Sequence, residues 1–98
     1  VSADNSVAIL VTPKGNGKEY RVKEMSGVDN YLYDDEGQND SPDVHIKNAR
    51  EMWGNCKVFN DFDDAMNEAK SQYEKTICDF GIVEYGITQI CIDREFQP

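Results

Sequence analysis

Six carboxylates, Asp29, Asp34, Asp35, Glu36, Asp40 and Asp43, lie between Lys23 and Lys47 with no lysine or arginine among them. A second group, Asp61, Asp63, Asp64 and Glu68, runs uninterrupted by a base between Lys57 and Lys70. Carboxylates gathered like this can ligate a cation, act as an acid–base pair, keep a chain dissolved, or imitate another polyanion. Each use has its own geometry. A calcium loop of the EF-hand kind needs Gly at its sixth position and Glu at its twelfth. Counted from Asp34 those positions are Asn39 and His45, and counted from Asp29 the sixth is Asp34. Both frames fail, so Asp34–Asp40 reads as a solvated acidic loop. A glycosidase pair must flank a substrate cleft, which a chain of 98 residues rarely offers.

Other catalytic chemistries find no constellation. His45 is the single histidine, and no nucleophile turn of the Gly-x-Ser-x-Gly type accompanies it. Cys56, Cys78 and Cys91 are scattered without zinc-ligand spacing. Each sits among apolar neighbours, which reads as reduced, buried thiols. The glycine-rich Pro13–Lys18 lacks the phosphate-loop pattern and precedes a strand. Trp53 and the tyrosines have an acidic surround rather than the basic one a base-stacking platform needs. No catalytic residue, metal or cofactor is expected, and the chain reads as no enzyme.

The charge itself remains. Nineteen acids against ten bases give a net charge of -9. A field of that sign repels nucleic acid and anionic membranes, so neither direct nucleic-acid binding nor membrane binding is expected, and basic protein surfaces become the natural partners. Asp61, Asp64 and Glu68 recur at helical spacing. A helix through them presents an exposed row with members about 5–6 Å apart, close to the spacing of phosphates along a DNA strand. Arginines lining a DNA channel can hold such carboxylates in bidentate pairs.

These residues need a scaffold. Val7–Thr12 is apolar on both faces, as a central strand is. A Gly/Asn turn, read as a loop longer than two residues, leads to an alternating strand at Glu19–Met25. Val28, Tyr31 and Leu32 allow a short helical turn. Ser41-Pro42-Asp43 carries helix-start signals, and Gly54-Asn55 stops that helix. Cys56–Phe59 reads as a short strand. Phe62, Ala65, Met66, Ala69 and Tyr73 form one helical stripe. Phe80–Ile92 reads as a long strand disturbed near Gly86. One α+β domain over residues 1–98 is the expectation. Its expected form is a four-stranded, largely antiparallel sheet with two helices packed on one face, a neighbour of ferredoxin-like folds. The apolar run Val7–Val11 is too short for a secretory signal.

Four short motifs carry a resemblance: Asp4-Asn5-Ser6-Val7, Glu19-Tyr20-Arg21-Val22, Val58-Phe59 ahead of the Ala65/Ala69 helix, and Glu84-Tyr85-Gly86-Ile87. With them the chain resembles small proteins carried by phages and mobile elements. In size and acidity it is similar to anti-CRISPR proteins, several of which act as DNA mimics on a Cas effector complex. The resemblance implies a cofactor-free inhibitor in the cytoplasm of a bacterial host, with a basic DNA-binding protein or Cas effector as partner. It supplies no active site to carry over. Two alternatives stand beside it: a regulatory or scaffold protein that binds through an apolar patch, and a small enzyme modifying a defence protein.

Overall fold

A computed structural model describes residues 5–26 and 42–97. Strand β1 spans Asn5–Lys14 and β2 spans Gly17–Ser26. They pair antiparallel over their whole length, from Asn5 opposite Ser26 to Lys14 opposite Gly17. Only Gly15 and Asn16 lie between, so the hairpin loop has two residues rather than the longer one expected. Gly15 takes φ +58°, and a positive φ is what a two-residue hairpin turn requires. Helix α1 covers Pro42–Trp53 and α2 covers Phe62–Phe80. Strand β3, Ile87–Cys91, completes the sheet in the order β2-β1-β3. Among the described residues the fold is α+β, with two helices and a three-stranded mixed sheet.

The side chains of β1 explain the layers. Ala8 and Leu10 pack with Ile46, Ala49 and Trp53 of α1. Val7, Ile9 and Val11 pack with Ala65 and Ala69 of α2. Successive strand residues point to opposite faces. The helices therefore cover opposite faces of the sheet, not one face as expected. A strand apolar on both sides needs a cover on both. Two helices on one face would have left Ala8 and Leu10 bare.

Two further strand expectations are corrected among the described residues. Cys56–Phe59 forms no strand; it contributes one antiparallel bridge, Phe59 to Tyr20. The long strand at Phe80–Ile92 is shortened to Ile87–Cys91. Its first residues belong to α2 and to a loop. Helix α2 runs to Phe80 and ends on Gly81 at φ +82°, whose N–H donates to the Ile77 carbonyl. Glycine alone takes that conformation without strain.

Asn5 sets the path from α2 into β3. Its side-chain amide donates to the Ile82 carbonyl and accepts from the Glu84 N–H, both at 2.8 Å. Its own carbonyl accepts from the Tyr85 N–H at 2.9 Å. The loop is thus tied to the start of β1, and Gly86, at φ +68°, turns the chain into β3. Entering beside the start of β1, β3 can only run parallel to it, as the register Val7–Ile87 to Val11–Cys91 records. This replaces the largely antiparallel sheet, and with the two-sided helix cover it departs from the ferredoxin-like arrangement.

The α1 face is closed by the C-terminal residues. Phe96 is buried, and the Arg21 guanidinium lies 3.6 Å from its ring centre. Arg50 donates to the carbonyls of Phe96 and Glu95. The Glu95 carboxylate accepts from the Gly15 N–H at 3.1 Å. Burial pulls Arg21 below its ordinary pKa, and Glu19, 3.5 Å away, opposes that shift. Trp53 is buried in the core, as expected, and His45 is half-buried on α1. The cysteines correct the sequence reading. Cys56 is half-buried, while Cys78 and Cys91 are exposed; all three are free thiols. The helical turn at Val28, Tyr31 and Leu32 and the acidic loop lie outside the described residues.

Candidate partner-binding surface

The surface is built on α2. Its stripe is short and small: Ala65, Ala69 and Thr76 are buried, and Phe62, Met66 and Tyr73 flank them half-buried. The alanines let the helix axis approach the sheet, and Phe62 meets Tyr20 edge to face at 5.6 Å. Everything off the stripe is left for solvent, and it divides into two flanks.

The flank beside β2 holds the acids. Asp61 is the helix cap: in extended backbone, its Oδ1 accepts from the Asp63 N–H at 2.8 Å. Asp63 and Asp64 stand in the first turn, where the positive end of the helix favours carboxylates. Asp61, Asp64 and Glu68 then line one open groove of about 560 Å³ together with Lys57, Phe59 and Asn67. Asp63 does not line it. Glu68 accepts a hydrogen bond from Gln72 at 2.9 Å. The Lys57 ammonium stands 5.2 Å from the Phe59 ring centre, on the wall of the groove. Among the described residues the ion pairs are Arg21–Glu19 and Arg94–Asp43. No lysine or arginine there forms an ion pair with the α2 acids.

The first acidic group divides differently. Asp43, its one member among the described residues, sits on α1, on the opposite side of the sheet from α2. It is held 3.0 Å from Arg94. Asp29, Asp34, Asp35, Glu36 and Asp40 lie outside the described residues. The row Asp61, Asp64, Glu68 is therefore brought together as the spacing suggested, and Asp43 is not joined to it.

Sequence reasoning missed how far this flank extends. A second open furrow of about 320 Å³ shares Glu68 with the first and continues past Lys75 and Asp79 to Phe80, with Glu24 of β2 on its far side. The helical spacing of Glu68, Lys75 and Asp79 was legible. The sequence reading followed the helical stripe only to Tyr73, short of Lys75 and Asp79.

The flank beside β3 mixes apolar and charged groups. Tyr73 and Ile87 line an open groove of about 370 Å³, bordered by Lys70 and Glu74. Ile77 on α2 and Ile82 and Tyr85 in the loop that follows are also exposed, whereas Phe80, 68% exposed, closes the furrow on the β2 side. Among the described residues no His, Cys, Asp or Glu side chains gather as a metal site, and no helix is long and apolar enough to cross a membrane.

No protein-family model, no curated protein and no solved structure matches the chain. The chemistry of the surface is what there is to read. It offers a row of carboxylates along one side of α2 and, along the other, Tyr73 and Ile87 with Lys70 and Glu74.

Proposed function

We propose that the chain is a phage- or mobile-element-encoded inhibitor of the anti-CRISPR type. It binds a basic DNA-binding surface of a CRISPR–Cas effector complex and blocks target DNA by acidic mimicry. It acts by occupancy, without turnover or cofactor, in the cytoplasm of the bacterial host. One observation carries this reading: Asp61, Asp64 and Glu68 share one open groove, and among the described residues no lysine or arginine is ion-paired with them. Carboxylates at that spacing can accept bidentate bonds from arginines that otherwise hold phosphates. Asp29, Asp34, Asp35, Glu36, Asp40, Asp43 and Asp63 add to the negative field that steers the encounter.

The test is charge reversal on the purified inhibitor. Asp61→Lys/Asp64→Lys is expected to weaken effector binding at least about tenfold and to restore DNA cleavage. A reversed variant that folds and inhibits as well as the parent would remove the mimicry.

A second reading, a small acidic regulatory or scaffold protein, draws on the exposure of Phe80, Ile82 and Tyr85. Exposed large apolar side chains mark partner sites where they form one patch. It predicts binding that is insensitive to salt and lost in Phe80→Ser.

A further inference from the structure

Beyond β3 the chain turns back over the α1 face. Ile92 makes the last bond to the sheet, its N–H donating to the Val11 carbonyl at 3.0 Å, and its side chain is buried. Among the described residues no backbone–backbone hydrogen bond reaches 93–97. Side chains do the holding. Arg50 donates to the carbonyls of Phe96 and Glu95. The Glu95 carboxylate accepts from the Gly15 N–H, and Arg94 pairs with Asp43 at the surface. Asp93, Arg94, Glu95 and Gln97 are exposed, and Phe96 is buried. One ring therefore anchors five residues.

Beneath that ring lies Arg21, only 4% exposed, its guanidinium 3.6 Å from the ring centre. Its Nε–H is buried and meets no acceptor among the described residues. The carboxylate paired with it, Glu19, stands 3.5 Å away. A buried cation with an unused donor is costly to keep from water, and lifting the ring would hydrate it. Burial of Phe96 favours the closed form, and hydration of Arg21 favours an open one. A segment held by opposed terms, with few backbone bonds of its own, can open while the rest of a fold stays intact.

We infer that residues 93–97 form a latch that lifts as a unit from the α1 face, pivoting after Ile92, while the sheet and both helices stay folded. Arg21 and Arg50 both touch Phe96 when the latch is closed. Opening uncovers the first guanidinium and releases the second from its two carbonyls. The α1 face then gains two cationic groups at one place, in a chain whose net charge is -9. The row of acids on α2 lies on the opposite side of the sheet, so the inference does not depend on the function proposed above.

Modification of the full chain with phenylglyoxal, read residue by residue by peptide mass mapping at rising urea, tests it. Circular dichroism follows global unfolding in the same solutions. Exposed Arg94 is the internal standard. Arg21 is expected to react more slowly than Arg94, at a rate that barely changes with urea below the unfolding transition, because a local opening exposes little surface. Arg50→Met removes both carbonyl bonds and keeps Phe96. It should speed modification of Arg21 on the order of tenfold, again with little dependence on urea. An Arg21 rate that climbs with urea as steeply as global unfolding does overturns the inference. So does an Arg21 that reacts as fast as Arg94 in the wild type, or one whose rate is unchanged in Arg50→Met.

Discussion

The two flanks of α2 began as the same kind of surface, the margins of one amphipathic helix, and were finished differently. Beside β2 the helix carries Asp61, Asp64, Glu68 and Asp79 along open furrows. Beside β3 it carries Tyr73 and Ile77, next to Ile87. Segregation teaches more than net charge does. The acids that form a row all lie on the β2 side, while on the β3 side Glu74 stands with Lys70 around an apolar groove. The α1 side sharpens the contrast. There Asp43 is paired with Arg94 at the surface, and Arg50 donates to the carbonyls of Glu95 and Phe96.

The comparison depends on the buried stripe that separates the flanks, and the largest expected effect strikes there. Ala69 is fully buried between α2 and the sheet. Ala69→Glu would place a charge where nothing can pair with it, which costs several kcal/mol, roughly 3–5, and unfolds most small domains. Denaturant titration checks it; a loss under about 1 kcal/mol would mean that the stripe does not set the flanks.

Next comes the loop that links α2 to β3. Asn5→Ala leaves the Ile82 carbonyl and the Glu84 N–H without their partner. The expected cost is about 1–3 kcal/mol, with faster amide exchange at Glu84 and Tyr85. Exchange unchanged at those amides would show that Asn5 does not hold the loop.

Thiol chemistry probes the layers more gently. Burial pushes the Cys56 thiol up, with Lys23 and Arg21 pulling the other way. Exposed Cys78 is expected to alkylate on the order of tenfold faster near pH 8. The sign for stability comes from the same shift. What Cys56 contributes is fully present below the pKa of its unfolded-state thiol. It is lost as the pH rises through the folded value. Cys56→Ser should flatten that alkaline decline, and an unchanged decline assigns it to another group.

The smallest effect belongs to the paired charges of the α1 side. Asp43→Asn removes an exposed ion pair worth less than about 1 kcal/mol. It should weaken partner binding less than Asp64→Asn does. Equal losses of binding from Asp43→Asn and Asp64→Asn would erase the distinction between paired and open acids.

Local chemistry made much of this legible. The Pro42-Asp43 start of α1, its stop before Gly54-Asn55, the Asp61 cap and the Ala65/Ala69 stripe were all readable from neighbours a few residues apart. The Asp61, Asp64, Glu68 row came from helical spacing alone. What failed was non-local. The parallel direction of β3 depends on Asn5 reaching residues nearly eighty positions away, and no window of sequence contains both. The two-sided cover of β1 was written in Val7–Thr12, whose apolar residues occupy both faces, but amphipathic helices suggest a one-sided sheet unless that strand is weighed against them. Cys78 and Cys91 have apolar neighbours along the chain and solvent around them in space, because one lies past the end of the α2 stripe and the other on an uncovered edge.

The central claim is that the β2-side flank of α2 binds a cationic surface. The direct measurement is affinity for the purified effector as a function of salt, for the wild type and for Asp64→Asn/Glu68→Gln. The claim predicts a steep fall of log affinity with log salt in the wild type and a shallower one in the variant. A wild-type affinity that does not change with salt, or equal slopes for the two proteins, would contradict it.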